Sequence, residues 1–229
     1  MNTNHAEVLE ALRDRSTNYA FLARMYRQEV DADLLRGMLA ELQQAGEAAE
    51  DAPADDGQAM LERYVRRLEG ADLKAVETQL AAEYAGLFLN AGPHPVYPYE
   101  SVYTSPEHLV MQKARDEVVR LYRQEGLDRS DAVREPEDHI AIELEFMAYL
   151  CRRSAEALQA GDRAACLAYL EKQRAFLADH LLVWVPAFAA DAEQAAESDL
   201  YKGVARLTRE LVEADPEMVD ALVEEMGAS

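Results

Sequence analysis

Residues 135–145, Glu-Pro-Glu-Asp-His-Ile-Ala-Ile-Glu-Leu-Glu, open the helical segment around which the rest of the chain is organised. Pro136 suits the first position of a helix, and the acids Glu137 and Asp138 favour the positive end of the helix dipole. The first turn of such a helix would carry Asp138 and His139, with side chains able to point out of the core. Apolar residues then recur in steps of four and three, at Ile140, Leu144, Met147, Cys151, Ala155 and Leu158. This spacing predicts a buried helix that begins at Pro136.

The pair Asp138 and His139 has two interpretations. An acid beside an imidazole can exchange hydrogen bonds and change charge near neutral pH, but such pairs also serve as plain helix caps. A third use is metal binding, because His139 and Glu143 would lie one helical turn apart and could share a divalent ion with Glu135 and Asp138. A metal-dependent helical enzyme built on these four residues is therefore an alternative. A two-metal bundle would need such residues on two helices, and the sequence shows them on one.

The remaining segments have the same helical periodicity, and none alternates as a strand does. The first four of them lie at 5–29, 34–42, 58–68 and 72–87. Ser-Pro-Glu at 105–107 and Asp-Pro-Glu at 215–217 each predict a further helix start, with a capping residue followed by proline. We therefore predict an all-α protein, a single globular array of about eight or nine helices.

A connector rich in proline and tyrosine, residues 91–104, lies near the middle of the chain. Its three prolines cannot continue a helix, because each lacks an N–H group and pushes the preceding residue toward extended geometry. The connector could act as a hinge between two halves, 1–90 and 105–229, of a single domain that spans 1–229.

The charge of the chain is strongly acidic. Its 44 acidic and 23 basic residues give a net charge of −21. Such a field repels nucleic acid and anionic membranes and attracts cationic segments of other proteins. We therefore expect no nucleic-acid partner. The same charge could serve solubility alone, or an acidic adaptor that acts through charge only.

Other motifs limit the location and chemistry of the protein. The first ten residues lack the apolar core of a secretory signal, and no uninterrupted run of about 18 apolar residues could span a bilayer. Cys151 and Cys166 have no disulfide or metal spacing, so we predict reduced core thiols. Phosphate-binding loops, zinc motifs and catalytic elbows are missing as well. A cytoplasmic protein without stable membrane insertion, bound metal or cofactor is expected.

Three fragments in a fixed order carry a family resemblance. They are Tyr84-Ala85-Gly86-Leu87-Phe88, then Pro98-Tyr99-Glu100-Ser101-Val102-Tyr103, then Glu135-Pro136-Glu137-Asp138-His139 followed by Glu143-Leu144-Glu145-Phe146. This ordered set resembles the TorD/DmsD/NarJ family of redox-enzyme maturation chaperones, and specifically its TorD/DmsD branch. The resemblance is best between residues 73 and 158. The chain departs from this branch in its tryptophan content. Members of the branch often carry tryptophans around the binding groove, whereas this chain has only Trp184.

The resemblance implies an all-α cytoplasmic chaperone that is not an enzyme. Such a chaperone binds the twin-arginine leader and the apo-form of a molybdopterin-containing oxidoreductase, assists cofactor insertion and delays export until the client has folded. Some members of the family form domain-swapped dimers, so the resemblance implies a monomer or a swapped homodimer with 91–104 as the hinge.

The resemblance also implies which residues bind the leader. It places Pro98, Tyr99, Ser101, Asp138 and His139 at the leader-binding groove, with Tyr84, Leu87 and Phe88 supporting it. From the chemistry of the residues, we expect the carboxylates of Glu100 and Asp138 to bind the leader arginines, and the rings of Tyr99, Tyr103 and Phe88 to receive its apolar part. The full set of predicted client-binding residues is Pro98, Tyr99, Glu100, Ser101, Tyr103, Asp138 and His139. The residues predicted to support the groove are Tyr84, Leu87, Phe88 and Glu135.

Overall fold

All regular secondary structure in the described residues is helical. The computed structural model describes residues 3–45, 56–128 and 134–227. These contain α1 Thr3–Arg27, α2 Ala32–Ala45, α3 Gly57–Arg66, α4 Leu73–Phe88, α5 Glu100–Thr104, α6 Lys113–Gln124, α7 Ile140–Gln159, α8 Arg163–Phe176, a π-helical turn Leu177–Leu181, α9 Leu182–Ala195 and α10 Asp199–Gly227. Because α8, the π-helical turn and α9 are continuous, these residues form nine uninterrupted helical stretches. The all-α prediction and the expected number of helices are confirmed.

The chain forms two compact units, each assembled from separate segments. The first contains Met1–Tyr26, Tyr99–Val185 and Val212–Ser229, and the second contains Arg27–Pro98 and Pro186–Leu211. These units do not coincide with consecutive halves at 1–90 and 105–229. The chain passes from the second unit to the first between Pro98 and Tyr99, inside the connector 91–104. The single domain and the hinge remain predictions.

The core of the first unit is built where four helices meet. α7 packs along α8, and apolar side chains of α1 and α10 complete the cluster. Its buried members are Val8, Leu12, Ala155, Leu158, Cys166, Leu170, Leu222 and Met226. Both cysteines are buried and form no disulfide, as predicted. Burial raises the pKa of the Cys151 thiol to about 12 and that of Cys166 to about 11, so both thiols are poor nucleophiles.

A buried ion pair joins α1 to α10 within the first unit. The Arg15 guanidinium donates to both carboxylate oxygens of Asp215, at 2.6 and 2.8 Å. Arg15 also donates to Gln173, and the Tyr19 hydroxyl donates to Asp215 at 2.7 Å. The predicted helix start at 215–217 is therefore wrong. α10 continues through Pro216, and Asp215 uses its carboxylate for Arg15 and Tyr19 instead of for a cap.

Two glycines allow close helix packing in the second unit. A Cβ atom on Gly57 would lie 2.4 Å from the backbone nitrogen of Leu207, and one on Gly203 would lie 3.0 Å from the Leu61 side chain. The Gly57 N–H donates to the Glu210 carboxylate at 3.1 Å. The first turn of α3 thus touches the α10 backbone at a distance that only glycine permits.

One helical run in the described residues, Arg163–Ala195, is long and apolar enough to cross a membrane by length and composition. Half of its most apolar stretch is buried inside the protein. Core helices also have this pattern, so the run is weak evidence for a membrane span.

Candidate functional site

The connector and residues 135–139 meet in the first unit, around an isolated antiparallel bridge between Tyr99 and His139. The rings of these two residues are 5.2 Å apart and meet edge to face at 74°. The Glu100 N–H donates to the backbone carbonyl of Asp138, and the Ser101 N–H donates to its carboxylate, both at 3.0 Å. Asp138 therefore satisfies the first amide groups of α5 from a distant part of the chain.

His139 is the N-cap of α7. Its Nδ1 accepts a hydrogen bond from the Ala141 N–H at 3.1 Å, so the ring proton belongs on Nε2. The predicted helix start at Pro136 is wrong, because α7 begins at Ile140. The Pro136 carbonyl instead accepts from the His139 N–H in a turn, and Asp138 and His139 precede the helix.

The expected outward orientation of Asp138 and His139 is also wrong. Their exposed fractions are 0% and 6%, and Glu100 and Ser101 are buried as well, at 3% and 0%. Their polar atoms satisfy buried backbone groups at the starts of α5 and α7, which requires them to lie inside. Burial raises the pKa of the Asp138 carboxyl, although hydrogen bonds from Ser101 oppose the shift.

The aromatic members of the predicted site lie nearer the surface. Tyr99 and Tyr103 are partly exposed, as is Glu135. The Tyr99 hydroxyl donates to the Glu135 carboxylate at 2.5 Å, and the Tyr103 ring lies 5.6 Å from that of Trp184. Tyr99 and Tyr103 are therefore partly in contact with solvent, whereas the polar side chains next to them are buried.

Replacement of Asp138 with alanine should lower the free energy of unfolding by about 1–3 kcal/mol, because the buried Ser101 N–H loses its acceptor. Asp138→Asn keeps an acceptor and should cost less.

Since the folded pKa of Asp138 lies above 3.8, folding takes up a proton at this site. The proton-linked part of this stability is complete below pH 3.8 and is lost as pH rises through the raised folded pKa of Asp138. Urea unfolding between pH 4 and 8 measures both effects, and equal pH slopes in wild type and Asp138→Asn would contradict this account.

Sequence reasoning missed His180 and the buried contacts of Glu143 beneath α5. The buried Glu143 accepts a hydrogen bond from the Trp184 indole at 2.9 Å. His180 Nδ1 lies 3.0 and 3.2 Å from the two carboxylate oxygens of Glu100. His180 occupies the π-helical turn and lies in the apolar line Phe176, His180, Trp184, with steps of four. A polar residue on such a line was the available signal, but the π-helical turn itself has no sequence pattern.

The residues predicted to support the groove lie in the second unit, except Glu135. The Tyr84 and Phe88 rings are 5.3 Å apart, and the Leu87 carbonyl accepts from the Val96 N–H at 2.7 Å. These contacts fix the first part of the connector, in which Pro98 is buried. Their support of a client groove remains a prediction.

The loop between α5 and α6 exposes apolar side chains. The predicted helix start at 105–107 is wrong, because α6 begins at Lys113. The loop is held by the Gln112 N–H, which donates to the Ser101 hydroxyl at 3.0 Å. Residues 109–111 carry the exposed side chains, with fractions of 56% for Leu109, 41% for Val110 and 59% for Met111.

The four residues of the metal-enzyme alternative have other roles. Glu135 accepts from Tyr99, Asp138 and His139 accept from backbone amides, and Glu143 accepts from Trp184. Within residues 3–45, 56–128 and 134–227, no three His, Cys, Asp or Glu side chains are grouped so that they could hold a metal ion. The metal-enzyme alternative therefore lacks a site in this part of the chain.

Comparison with known proteins gives consistent results. Residues 47–190 match the family model described as nitrate reductase delta subunit. The chain is 31% identical to the chaperone protein TorD of Vibrio cholerae, over 92% of this chain and 94% of the relative. It is 27% identical to the chaperone protein TorD of Shewanella pealeana, over 96% of each. A crystal structure from Archaeoglobus fulgidus, provisionally described as a redox enzyme maturation protein, covers 87% of this chain with a TM-score of 0.50 and 23% identity. That likeness concerns the fold.

Proposed function

Because this chain belongs to the nitrate reductase delta subunit family, we propose that it is a chaperone for the maturation of a redox enzyme. The observation that carries the proposal is the similarity to TorD chaperones over nearly the whole length of both chains. The client would be the apo-form of a molybdopterin-containing catalytic subunit with its twin-arginine leader. The chaperone would bind both in the cytoplasm, assist cofactor insertion and delay export. This role is not catalytic.

The client-binding surface that we propose is centred on Tyr99 and Tyr103. Both rings are partly exposed, and the apolar residues 109–111 follow on the loop after α5. A leader combines a cationic segment with an apolar one. The acidic field of a chain with net charge −21 would attract the first, and the aromatic and apolar side chains would receive the second.

The buried members of the predicted site would act through these rings. Asp138 and His139 set the starts of α5 and α7, and Glu100 and Ser101 form the first turn of α5. We therefore propose that these four residues position Tyr99 and Tyr103, which contact the client. A monomer and a homodimer swapped through residues 91–104 are both compatible with this surface.

The test is affinity capture of the tagged protein from its own source cytoplasm, followed by mass spectrometry. The wild type should co-purify a molybdoenzyme subunit that still carries its leader. Tyr99→Ala combined with Tyr103→Ala should weaken binding by at least about tenfold, since buried tyrosines at interface centres contribute most of the binding free energy.

Tyr169→Ala provides the matched control, because Tyr169 is another partly exposed tyrosine of the first unit and lies on α8 beside Arg153. It should retain the client. Capture of no redox enzyme by the wild type would overturn the chaperone proposal. Equal capture by the double variant and the control would overturn the proposed surface only.

A further inference from the structure

The carboxyl groups of Glu100 and Glu143 form a buried pair. If both groups were ionised, one of their oxygens would lack a hydrogen-bond donor within the described part of the chain. Glu143 lies within hydrogen-bonding reach of Glu100, and its exposed fraction is 0%. Its Oε2 accepts from Trp184, but its Oε1 has no donor among the residues that the structure describes. A buried carboxylate oxygen without a donor is costly, and a proton on Oε1 removes the cost, because the acid can then donate to Glu100.

We propose that Glu143 carries a proton that it donates to Glu100, and that this proton holds α5, with Tyr99 and Tyr103, in the client-binding conformation. Glu143 and His180 are then positioning residues of the client surface. The part of the proposal that concerns the client rests on the proposed chaperone function. The proton itself does not.

The acids that face Glu143 favour its neutral form, and the hydrogen bond from Trp184 opposes them. Glu100 on α5 and Asp138 before α7 are acids, and the buried Tyr122 comes from α6. His180 lies on the far side of Glu100, where its Nδ1–H donates to the Glu100 carboxylate. The Trp184 N–H is the donor to Glu143. Burial, followed by the charge of Glu100, accordingly raises the pKa of Glu143 well above its usual value.

Loss of this proton would weaken the attachment of α5. An ionised Glu143 places a second negative charge beside Glu100 and replaces a hydrogen bond with repulsion. Glu100 is the first residue of α5, so the repulsion acts directly on the helix that carries Tyr103. Because the folded pKa of Glu143 is raised, the stabilisation is complete below pH 4.5 and is lost as pH rises through the folded pKa. The affinity for the client should therefore fall as pH rises and Glu143 releases its proton.

Trp184 is the only tryptophan of the chain, so its indole N–H gives a single NMR resonance next to Glu143. In the wild type this resonance should move through a one-proton transition with a midpoint well above 4.5. Glu143→Gln, whose amide can donate to Glu100 at any pH, should remove the transition. Glu145→Gln changes an exposed acid on the same helix and should retain it. A wild-type midpoint at or below 4.5 would overturn the shared proton without requiring any variant to fold. A transition that persists in Glu143→Gln would overturn it as well.

Hydrogen exchange tests the coupling to α5. The Ser101 amide donates to Asp138. Its protection, corrected for intrinsic exchange, should be about tenfold lower one pH unit above the midpoint of the Trp184 transition than one pH unit below it. In Glu143→Gln the corrected protection should stay constant. Constant protection in the wild type would show that the proton does not hold α5.

Binding of a synthetic twin-arginine leader peptide, measured one pH unit below and one above the midpoint of the Trp184 transition, tests the link to the client. The wild type should bind about tenfold more weakly at the higher pH, and Glu143→Gln should bind equally at both. Binding that is independent of pH in the wild type overturns the client part of the inference. A peptide that does not bind at either pH counts against the proposed leader site, whereas the Trp184 and Ser101 measurements still decide the proton.

Discussion

Asp215→Ala is expected to lower the free energy of unfolding by about 3–5 kcal/mol, because it leaves the Arg15 guanidinium buried without its counter-ion. The exposed fractions of Arg15 and Asp215 are 5% and 4%, so water cannot replace the lost carboxylate without opening the core. Tyr19 loses its acceptor as well. For a chain of this size, the loss corresponds to a fall of roughly 6–20 °C in the unfolding midpoint. Thermal unfolding followed by circular dichroism, together with urea titration, measures it.

Glu156→Ala is the matched control, since Glu156 is an exposed acid of the same unit that pairs with Arg153. Exposed pairs contribute little, so its unfolding midpoint should match that of the wild type. Arg15→Met combined with Asp215→Leu removes both charges and should recover part of the loss. A fall for Asp215→Ala as small as that for Glu156→Ala would show that the ion pair contributes little to stability.

Gly57→Ala should destabilise the second unit by about 1–3 kcal/mol, because the added Cβ overlaps the α10 backbone. The nearest atoms would be the Leu207 nitrogen at 2.4 Å and its Cα at 2.8 Å, and backbone atoms cannot rotate away as a side chain can. The two helices must separate, which also lengthens the hydrogen bond from the Gly57 N–H to Glu210. Urea unfolding measures the change.

Gly37→Ala is the control for the removal of a glycine. Gly37 is an exposed residue inside α2 of the same unit, and nothing lies within 4 Å of an added Cβ. This change should stabilise the protein by about 0.5–1 kcal/mol, because alanine loses less backbone entropy than glycine in a helix. Opposite signs for Gly57→Ala and Gly37→Ala would isolate the steric effect, whereas equal signs would contradict it.

The sequence predicts well those features that depend on neighbours within one helix. The apolar line from Ile140 to Leu158 repeats every three or four residues, and all six of its members are buried in α7. Asp72 opens the predicted helix at 72–87, and as the N-cap of α4 its carboxylate accepts from the Lys74 and Ala75 amides. Periodicity and capping act over a few residues, so one sequence is enough to detect them.

Helix starts that depend on distant partners could not be predicted. Three segments place an acid or serine before Pro-Glu, at 105–107, 135–137 and 215–217, and none begins a helix. In the third, Asp215 binds Arg15, which lies 200 positions away. In the second, the turn at Pro136 brings Asp138 to the first amides of α5, a helix that lies within the connector. The local pattern is the same in each case, and the tertiary partner decides the outcome.

Only part of the candidate site could be predicted, because the rest depends on partners that are distant in the sequence. The order of the fragments indicated that Tyr99 to Tyr103 and residues 135–139 act together, and the structure brings them into contact. Their burial was not predicted, because it depends on elements that lie far away in the sequence. His180 was overlooked because a π-helical turn, which sequence periodicity does not reveal, places it beside Glu100.

The assembly of the first unit from separated segments has a consequence for protein synthesis. Residues 212–227 complete the core around Leu12 and supply the counter-ion of Arg15, yet the ribosome makes them about two hundred residues after α1. A nascent chain interrupted before residue 212 therefore displays a bare guanidinium and an uncovered apolar face. Such a product is open to proteolysis and aggregation. The unit that carries Tyr99 and Tyr103 is thus complete only late in the translation of the chain.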